Sequence, residues 1–192
     1  MKSNDYTVRH ISRIECAPYI LERHYAKRFP SISFYFGLFY MEELVGICTF
    51  GSPASAPLCK GIAGVENKSK VIELNRLCLL NNIKNEASFL VSKSIKLLPQ
   101  PKIIVSYADT AQNHNGTVYQ ACNFLFTGTS KPRTDMAGKD GKHPRHHAGD
   151  KLNRVQRSAK HRYVYLHGSK TQKKKLMQDL KYPIMEYPKC YL

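Results

Sequence analysis

Acidic residues are scarce in this sequence of 192 residues, and their scarcity is the strongest signal in its composition. Only 14 Asp and Glu oppose 30 Lys and Arg, so the formal net charge at pH 7 is +16. Such an excess of positive charge favours an anionic partner, and nucleic acid is the first candidate. The 42% of hydrophobic residues indicates a globular chain with a core, which excludes a disordered polycation.

Signals for membrane insertion and secretion are lacking as well. No apolar run reaches the roughly 18 residues of a membrane-spanning helix, and no basic amphipathic helix exposes an apolar face. The first residues, MKSNDYTVRH, contain no apolar signal-peptide core, so we expect a cytoplasmic protein that does not bind membranes. None of the six cysteines belongs to a CxxC pair, and we expect buried free thiols.

The pattern of apolar residues predicts an α/β protein with a single domain over residues 1–192. A helix is expected from Pro18 to about Arg28, and a loop from Gly51 to about Gly64. The predicted strands are 6–11, a hairpin within 31–50, 71–80, 102–107, 124–129 and 161–167. The other predicted helices are 85–98, 116–123 and 169–180. This order resembles the GNAT (N-acyltransferase) fold, a mixed central sheet flanked by helices.

The segment from Ser106 to Phe124 carries the most chemistry. An apolar run indicates a buried strand that ends at Asp109, and a polar loop leads from there to a helix that carries Tyr119. Open α/β sheets bind their ligands at the carboxyl ends of such strands. A carboxylate there and a phenol in the next helix suit acyl transfer, although Asp and Asn are also ordinary turn and cap residues.

Polar side chains stand out in two other segments. His24 and Tyr25 lie near the end of the first predicted helix, among basic residues that favour an anionic substrate. Arg76 interrupts the apolar strand VIELNRLCLL, and a buried guanidinium needs a partner. We expect Arg76 to pair with Glu73 or Asp109, or to hold a phosphate or carbonyl of the substrate.

The segment 131–162 is a basic insert that contains ten Lys or Arg, three Asp and four His. It lacks hydrophobic periodicity, so a solvated loop is one interpretation. We favour a nucleic-acid-binding loop whose phosphate contacts give a salt-dependent affinity with little sequence preference. For the cluster His143, His146 and His147, nucleic-acid contact or plain exposure is a better interpretation than metal binding. The candidate nucleic-acid-binding residues are Arg133, Lys142, Arg145, Lys151, Arg154, Arg157 and Lys160.

Glycine is missing where GNAT enzymes that use acetyl-CoA need it. Those enzymes grip the pyrophosphate with a Q/R-x-x-G-x-G/A loop at a helix N-terminus, after their fourth strand. The corresponding segment here reads LLNNIKNEASFL, in which Asn85 is expected to cap the helix. Because Cβ atoms hinder close approach of a pyrophosphate, the sequence does not predict a standard acetyl-CoA site.

Several segments together resemble the phage Mom family of DNA-modification proteins. They are ERHYAKRFP, CTFGSPAS, ELNRLCL, NEASFLVSKS, SYADTAQNHNGTVYQACNF and HRYVYL, and they span most of the chain. The resemblance implies a GNAT-like fold and conversion of adenine in phage DNA to N6-carbamoylmethyladenine, which shields the DNA from host restriction enzymes. By resemblance, the catalytic positions are His24, Tyr25, Arg76, Asp109 and Tyr119, and Asn85 and Ser88 are assigned to the donor.

The resemblance implies attack by the exocyclic amine of an adenine flipped out of double-stranded DNA. This amine is a poor nucleophile, so a base must accept its proton, and Asp109 or His24 is expected to do so. Tyr119 would protonate the leaving group, and Arg76 would stabilise the oxyanion. Tyr25 would stack on the flipped base.

The acyl donor stays open at this point. Glycyl-tRNA would supply the glycinamide unit of the product and would make tRNA a second partner, whereas an acyl-CoA is the alternative. The family resemblance also implies iron, with His24, Tyr25 and Asp109 as ligands, although the sequence shows no metal-ligand spacing. Two other functions remain open: a conventional GNAT acetyltransferase acting on protein or small molecules, and a non-catalytic nucleic-acid-binding protein.

Overall fold

The computed structural model of the chain describes residues 5–136 and 153–188. Its strands are β1 (Tyr6–His10), β2 (Phe34–Tyr40), β3 (Glu43–Gly51), β4 (Val71–Leu79), β5 (Lys102–Asp109), β6 (Leu125–Thr129), β7 (Arg133–Met136), β8 (Arg154–Arg157) and β9 (Lys160–His167). Seven of them form one sheet in the order β1-β2-β3-β4-β5-β9-β6, and β7 pairs with β8 in a separate hairpin. Within the large sheet, β4 and β5 run parallel and the other neighbours run antiparallel.

Helices cover both faces of this sheet, which confirms the predicted α/β fold class. They are α1 (Arg13–Pro18) with a π-helical turn (Tyr19–Arg23), α2 (Ala56–Asn67), α3 (Glu86–Leu97), α4 (Thr117–Ala121) and α5 (Lys170–Asp179). No helix in the two described ranges is long and apolar enough to cross a membrane.

The side chains of β5 divide the core between the two faces of the sheet. Ile104 belongs to a buried cluster with Leu90 of α3, whereas Ile103 belongs to a second cluster with Ile62 of α2 and Leu176 of α5. All five of these side chains are at most 2% exposed. The strand therefore reads as a continuous apolar run, as strands buried on both faces do.

Most of the predicted elements lie within a few residues of their expected bounds. The hairpin of β2 and β3 turns at Met41 and Glu42, whose φ values of 45° and 69° are those of a two-residue hairpin turn. The strands β1, β4, β5, β6 and β9 and the helices α3, α4 and α5 are also confirmed.

The predicted start of the first helix is wrong. The helix begins at Arg13, because the Ser12 hydroxyl accepts the Glu15 amide while the Glu15 carboxylate accepts the Ser12 amide. This reciprocal capping box fixes the N-terminus before Pro18, which lies inside the helix. The helical backbone ends at Arg23, so His24 follows it with an extended backbone and Tyr25 lies in the turn after it.

The predicted loop over 51–64 is also wrong, since it contains most of α2. Ser55 caps this helix and Pro57 lies in its first turn, so small and Pro residues that suggested a loop instead start a helix. The β7–β8 hairpin is a second unexpected element. Nearly all of its residues are exposed, which explains why its sequence shows no hydrophobic alternation.

Candidate active site

The candidate site is a cleft between β4 and β5. The two strands pair as far as Glu73 and Val105 and then diverge, although both continue toward their carboxyl ends. The register of β4 against β3 shifts at Asn75, which is an extra residue of a β-bulge. The Ser106 hydroxyl donates to the Leu74 carbonyl at 3.0 Å and bridges the base of the gap. The cleft therefore opens at the strand ends where α/β sheets bind ligands.

Asp109 lies at the end of β5 and is hydrogen-bonded on both carboxylate oxygens. Oδ1 accepts from the Ala111 amide at 3.1 Å and from the Ser158 hydroxyl, and Oδ2 accepts from the Lys160 ammonium at 2.7 Å. Burial alone would raise the pKa of Asp109, but the hydrogen bonds from Lys160 and Ser158 outweigh it and lower the pKa. A carboxylate stabilised in this way is a weak proton acceptor.

Three rings form what we call the aromatic cluster: His24, Tyr25 and His114. The His24 and Tyr25 rings stack with centroids 4.5 Å apart, and the His114 ring meets Tyr25 edge-on at 6.1 Å. Tyr25 is 49% exposed, so it offers part of its surface to a bound ring. His114 belongs to the loop after Asp109 and was not singled out in the sequence.

The protonation of His24 follows from its surroundings. Its Nδ1 accepts the Ala26 amide at 3.1 Å, which places the proton of the neutral ring on Nε2. Burial, followed by the positive charges of Arg76 and Lys160 and by His114, lowers the pKa of His24 to about 4. At neutral pH this ring is an N–H donor, and its lone pair is already in use.

Arg76 does not form the expected ion pair. Its guanidinium donates to the Asn75 carbonyl at 2.6 Å and to the Arg28 carbonyl at 2.9 Å. No described carboxylate lies within ion-pair distance, so the predicted pairing with Glu73 or Asp109 is wrong. The backbone bulge and the 24–30 loop satisfy the guanidinium instead. Its buried Nε has no hydrogen-bond partner among the described residues.

Glu73 has the most strongly perturbed carboxylate of the cleft. Burial raises its pKa to about 7, even though Arg76, Lys160, the Ala54 amide and Arg28 act to lower it. Within the described residues it forms no ion pair. Sequence reasoning treated Glu73 only as a partner of Arg76. The available signal was a carboxylate inside the apolar run VIELNRLCLL.

Tyr119 places its phenol beside the same gap. Its ring packs against Phe124 and Tyr163 at centroid distances of 5.5 and 5.4 Å, and its hydroxyl is hydrogen-bonded with Ser106. Burial raises the pKa of Tyr119 above its ordinary value of 10.0. The phenol is therefore protonated at neutral pH, which is the state that a proton donor requires.

Asn85 precedes α3 as predicted, but its side chain does not cap the helix through a described contact. Asn85 has a left-handed backbone with φ of 73°, and its side chain makes no capping hydrogen bond to a described residue. The Glu86 carboxylate, 1% exposed, instead accepts the Ile83 amide at 3.2 Å and the Tyr6 hydroxyl at 2.8 Å. This hydrogen bond, together with burial, raises the pKa of Tyr6 to about 12. The Ser88 hydroxyl donates to the Asn85 carbonyl at 3.1 Å.

We call residues 131–136 and 153–159 the basic arm. Its candidate residues Arg133, Arg154 and Arg157 are exposed, and Asp135 lies 3.7 Å from Arg133 and 3.9 Å from Arg157. Lys160 follows the arm as the first residue of β9 and is bound to Asp109. The other candidates, Lys142, Arg145 and Lys151, lie outside the described residues, as do His143, His146 and His147.

The ligands that the resemblance implies for iron do not fit a cation in this arrangement. Hydrogen bonds occupy the His24 Nδ1 and both Asp109 oxygens, and the Lys160 ammonium adds positive charge at the same place. Elsewhere in the described ranges, no group of three or more His, Cys, Asp or Glu is placed to hold a metal ion.

The chain is similar to the Mom protein family, whose sequence model matches residues 5–189. It is 29% identical over 116 residues to the methylcarbamoylase Mom of Escherichia phage Mu. The matched region covers 57% of this chain and 48% of the phage Mu protein, so the chain spans about half of that relative.

Solved acetyltransferases share the fold at low sequence identity. An N-acetyltransferase from Staphylococcus aureus is 17% identical, with a TM-score of 0.52 over 85% of this chain and 99% of that chain. NAA60 of Arabidopsis thaliana, in complex with a bisubstrate analogue, is 13% identical, with a TM-score of 0.53 over 84% of this chain and 97% of that chain. These likenesses show the GNAT fold, as the sequence predicts.

Proposed function

The chain belongs to the Mom protein family, and from this premise we propose that it is a transferase that modifies the exocyclic amine of adenine in DNA. One observation carries the proposal. At the cleft Glu73 lies within electrostatic range of Arg76 and of Tyr119, and Asp109 joins the cleft to Ser158 at the root of the basic arm. Phosphate-binding cations next to an acid–base cluster suit chemistry on a nucleic-acid base.

The adenine amine is paired inside duplex DNA, so the base must leave the stack before it can react. The aromatic cluster offers a stacking surface for the flipped base, because the Tyr25 ring is half exposed and its orientation is fixed by His24. The exposed arginines of the basic arm would hold the neighbouring phosphates. Their affinity for DNA would depend on salt and little on sequence.

The reaction that we propose is glycyl transfer followed by migration. The adenine amine bonds to the carbonyl carbon of a glycyl ester on tRNA and gives up a proton, and the ribose hydroxyl leaves with a proton. The glycyl amine then bonds to ring carbon six, while the bond from that carbon to the amide nitrogen breaks. The product, N6-carbamoylmethyladenine, is an isomer of the first adduct, so no further reactant is needed.

Glu86 supports this donor over an acyl-CoA. GNAT enzymes bind a pyrophosphate at the N-terminus of the helix that corresponds to α3, where amide donors point outward. Here the first residue of that helix is Glu86, whose buried carboxylate accepts the Ile83 amide just before the helix. A pyrophosphate would meet this negative charge as well as the side chains of a loop without glycine.

Glu73 is the residue that we propose as proton acceptor, in place of Asp109 or His24. Its pKa of about 7 lies near the operating pH, whereas Asp109 is stabilised as an anion and the His24 lone pair is occupied. Tyr119 would give a proton to the leaving hydroxyl. The positive charge of Arg76 would stabilise the oxyanion.

The test is mass spectrometry of nucleosides from plasmid DNA of cells that express the chain and are fed glycine labelled with ¹³C and ¹⁵N. The expected result is a heavier adenine nucleoside that contains both carbons and the nitrogen of glycine. Glu73→Gln and Tyr119→Phe should each lower its yield by about a hundredfold, the size of general acid–base effects. Glu66→Gln, which changes an exposed carboxylate on α2, is the matched control and should keep the wild-type yield.

Three other outcomes lead to different conclusions. Unlabelled modified adenine would keep the DNA reaction but replace glycine with another donor. Unmodified DNA together with tight acetyl-CoA binding would favour the conventional acetyltransferase. Unmodified DNA that still binds the chain would favour a binding protein without catalysis. Protection is tested on the same plasmids, which should resist restriction enzymes whose sites contain the modified adenine.

A further inference from the structure

Asp109 lies between two elements of the site, the basic arm and the loop over 110–115, and is hydrogen-bonded to both. Toward the arm, its carboxylate accepts from Ser158 and from Lys160. Toward the loop, it accepts the Ala111 amide, and its own carbonyl accepts the His114 amide at 3.1 Å. One residue therefore joins the root of the arm to the loop that carries a ring of the aromatic cluster.

The neighbouring backbone repeats the same connection. Thr110 donates to the Ala159 carbonyl through its amide at 3.2 Å and through its hydroxyl at 2.8 Å. Ser130 immediately precedes the arm at its other end. Its amide donates to the Lys160 carbonyl at 2.9 Å, and its hydroxyl accepts the Lys160 amide at 3.0 Å. The Asp109 side chain is the charged member of this network, and it is only 10% exposed.

A proton acceptor needs a lone pair that a substrate can reach. Asp109 uses Oδ1 for two donors and Oδ2 for the Lys160 ammonium. Charge-assisted hydrogen bonds of this kind are about twice as strong as neutral ones. The geometry therefore suits a residue that holds other parts in place better than one that reacts.

We propose that Asp109 is a positioning residue that fastens the root of the basic arm to the aromatic-cluster loop, so that bound DNA is held in register with the cleft. The proposal rests on the proposed function, which identifies the ligand as DNA. It adds that loss of the Asp109 carboxylate lowers the modification by loosening the basic arm and weakening DNA binding.

The experiment combines hydrogen exchange with DNA binding on the full chain. In Asp109→Asn, the new amide N–H faces the Lys160 ammonium, so donor meets donor. We expect exchange at the amides of Thr110, Ser130 and Lys160 to speed up about tenfold, and the Kd for a duplex oligonucleotide to rise by a similar factor, as loss of a charge-assisted hydrogen bond implies. Asp179→Asn is the matched control, since that carboxylate accepts only the Asn67 amide group at 2.9 Å among its described contacts.

A second variant separates fastening from catalysis. Adding Lys160→Gln to Asp109→Asn supplies a carbonyl oxygen opposite the new amide N–H and restores a neutral hydrogen bond. If Asp109 fastens the arm, the double variant regains slow exchange at the arm root, and its yield of modified adenine rises above that of the single variant. A general base is not replaced by an amide, so a reacting Asp109 predicts no recovery.

Two results would overturn the proposal. In the first, Asp109→Asn loses the modification but keeps the wild-type exchange rates and the wild-type affinity for DNA. In the second, the double variant regains slow exchange but modifies DNA no better than the single variant. Failure of the proposed function is a separate result. If the wild-type chain neither binds nor modifies DNA, that function is wrong, whereas the exchange data still decide whether Asp109 holds the arm root.

Discussion

At the scale of single residues, the side chains expected to share the chemistry have very different surroundings. Asp109 is hydrogen-bonded on both oxygens, His24 is held neutral, and Glu73 is half-buried near cations without a described ion-pair partner. Residue types were enough to select these positions from the sequence, but they did not show which side chain accepts the proton. Protonation depends on burial and on neighbouring charges, and those neighbours come from distant parts of the chain.

Glu73→Gln is expected to stabilise the protein at neutral and alkaline pH. The folded pKa of about 7 lies above the ordinary 4.5, so the folded state retains a proton that the unfolded state releases. Stability is therefore lost as the pH rises from about 4.5 to 7, and the loss is complete above 7. The variant should exceed the wild type by on the order of 2 kcal/mol at pH 8, and match it near pH 4.

Thermal unfolding of both proteins between pH 4 and pH 8 measures this difference. A gain in stability combined with loss of activity is the pattern of a functional group held in an unfavourable environment. Equal melting temperatures at pH 8 would mean that the Glu73 carboxylate is well solvated, and the assignment as proton acceptor would then be wrong.

At the scale of elements, the N-terminus of α3 explains how a GNAT fold can lack its glycine loop. The fold leaves amide donors at this helix end, and they need an acceptor. In the GNAT enzymes that use acetyl-CoA the ligand supplies it, whereas here the helix begins with Glu86, whose carboxylate accepts the Ile83 amide before the helix and the Tyr6 hydroxyl of β1. This carboxylate places a negative charge at the helix end that an anionic donor would otherwise occupy.

Glu86→Ala is expected to cost about 2–4 kcal/mol, because it leaves a buried amide and a buried phenol without an acceptor. Tyr6→Phe is the graded control: it removes one of these hydrogen bonds and should cost about 1 kcal/mol. Urea unfolding measures both values. Calorimetric titration of the wild type with coenzyme A should show no binding, and a micromolar Kd would contradict the assignment of the donor.

At the scale of the whole molecule, the excess positive charge lies in more than one region. The basic arm precedes β9, and α5 follows it, so the two regions are separated by the length of an eight-residue strand, about 25 Å. Four exposed lysines lie on α5, and none of them pairs with a carboxylate of the described chain. They are Lys170, Lys173, Lys174 and Lys175. Of these two regions, the basic arm is the one that a described hydrogen bond of Asp109 connects to the cleft.

Charge reversal should therefore weaken DNA binding more in the arm than on α5. For Arg154→Glu with Arg157→Glu, we expect the Kd for duplex DNA to rise at least about tenfold at 0.1 M salt, and the slope of log Kd against log salt to fall by about two. Lys174→Glu with Lys175→Glu makes the same charge change and should have the smaller effect. Fluorescence anisotropy over a range of salt concentrations measures both pairs, and equal effects would show that binding is diffuse.

Local signals predicted much of the fold but left identifiable gaps. The hairpin at Met41 and the helix α3 followed from apolar periodicity, which depends on neighbours in sequence. The segment 51–64 was expected to be a loop because it contains Pro and several small residues. Such residues also begin helices, as Ser55 and Pro57 do at the start of α2. The strands β7 and β8 show no alternation of apolar and polar residues, because neither face of the pair is buried against the core. Asn85 suits a cap by residue type, but its left-handed backbone leaves its side chain without a capping hydrogen bond to a described residue.

The sequence by itself determined the charge excess, the class of fold, the family and most of the residues that surround the cleft. These depend on composition, on periodicity and on motifs within short segments. Tertiary structure alone decided the state of each group: that Arg76 bonds carbonyls, that Asp109 is bound by Ser158 and Lys160, and that Glu73 is half-buried near cations. Ion pairing and pKa depend on distance and burial, and these are set by elements far apart in the chain.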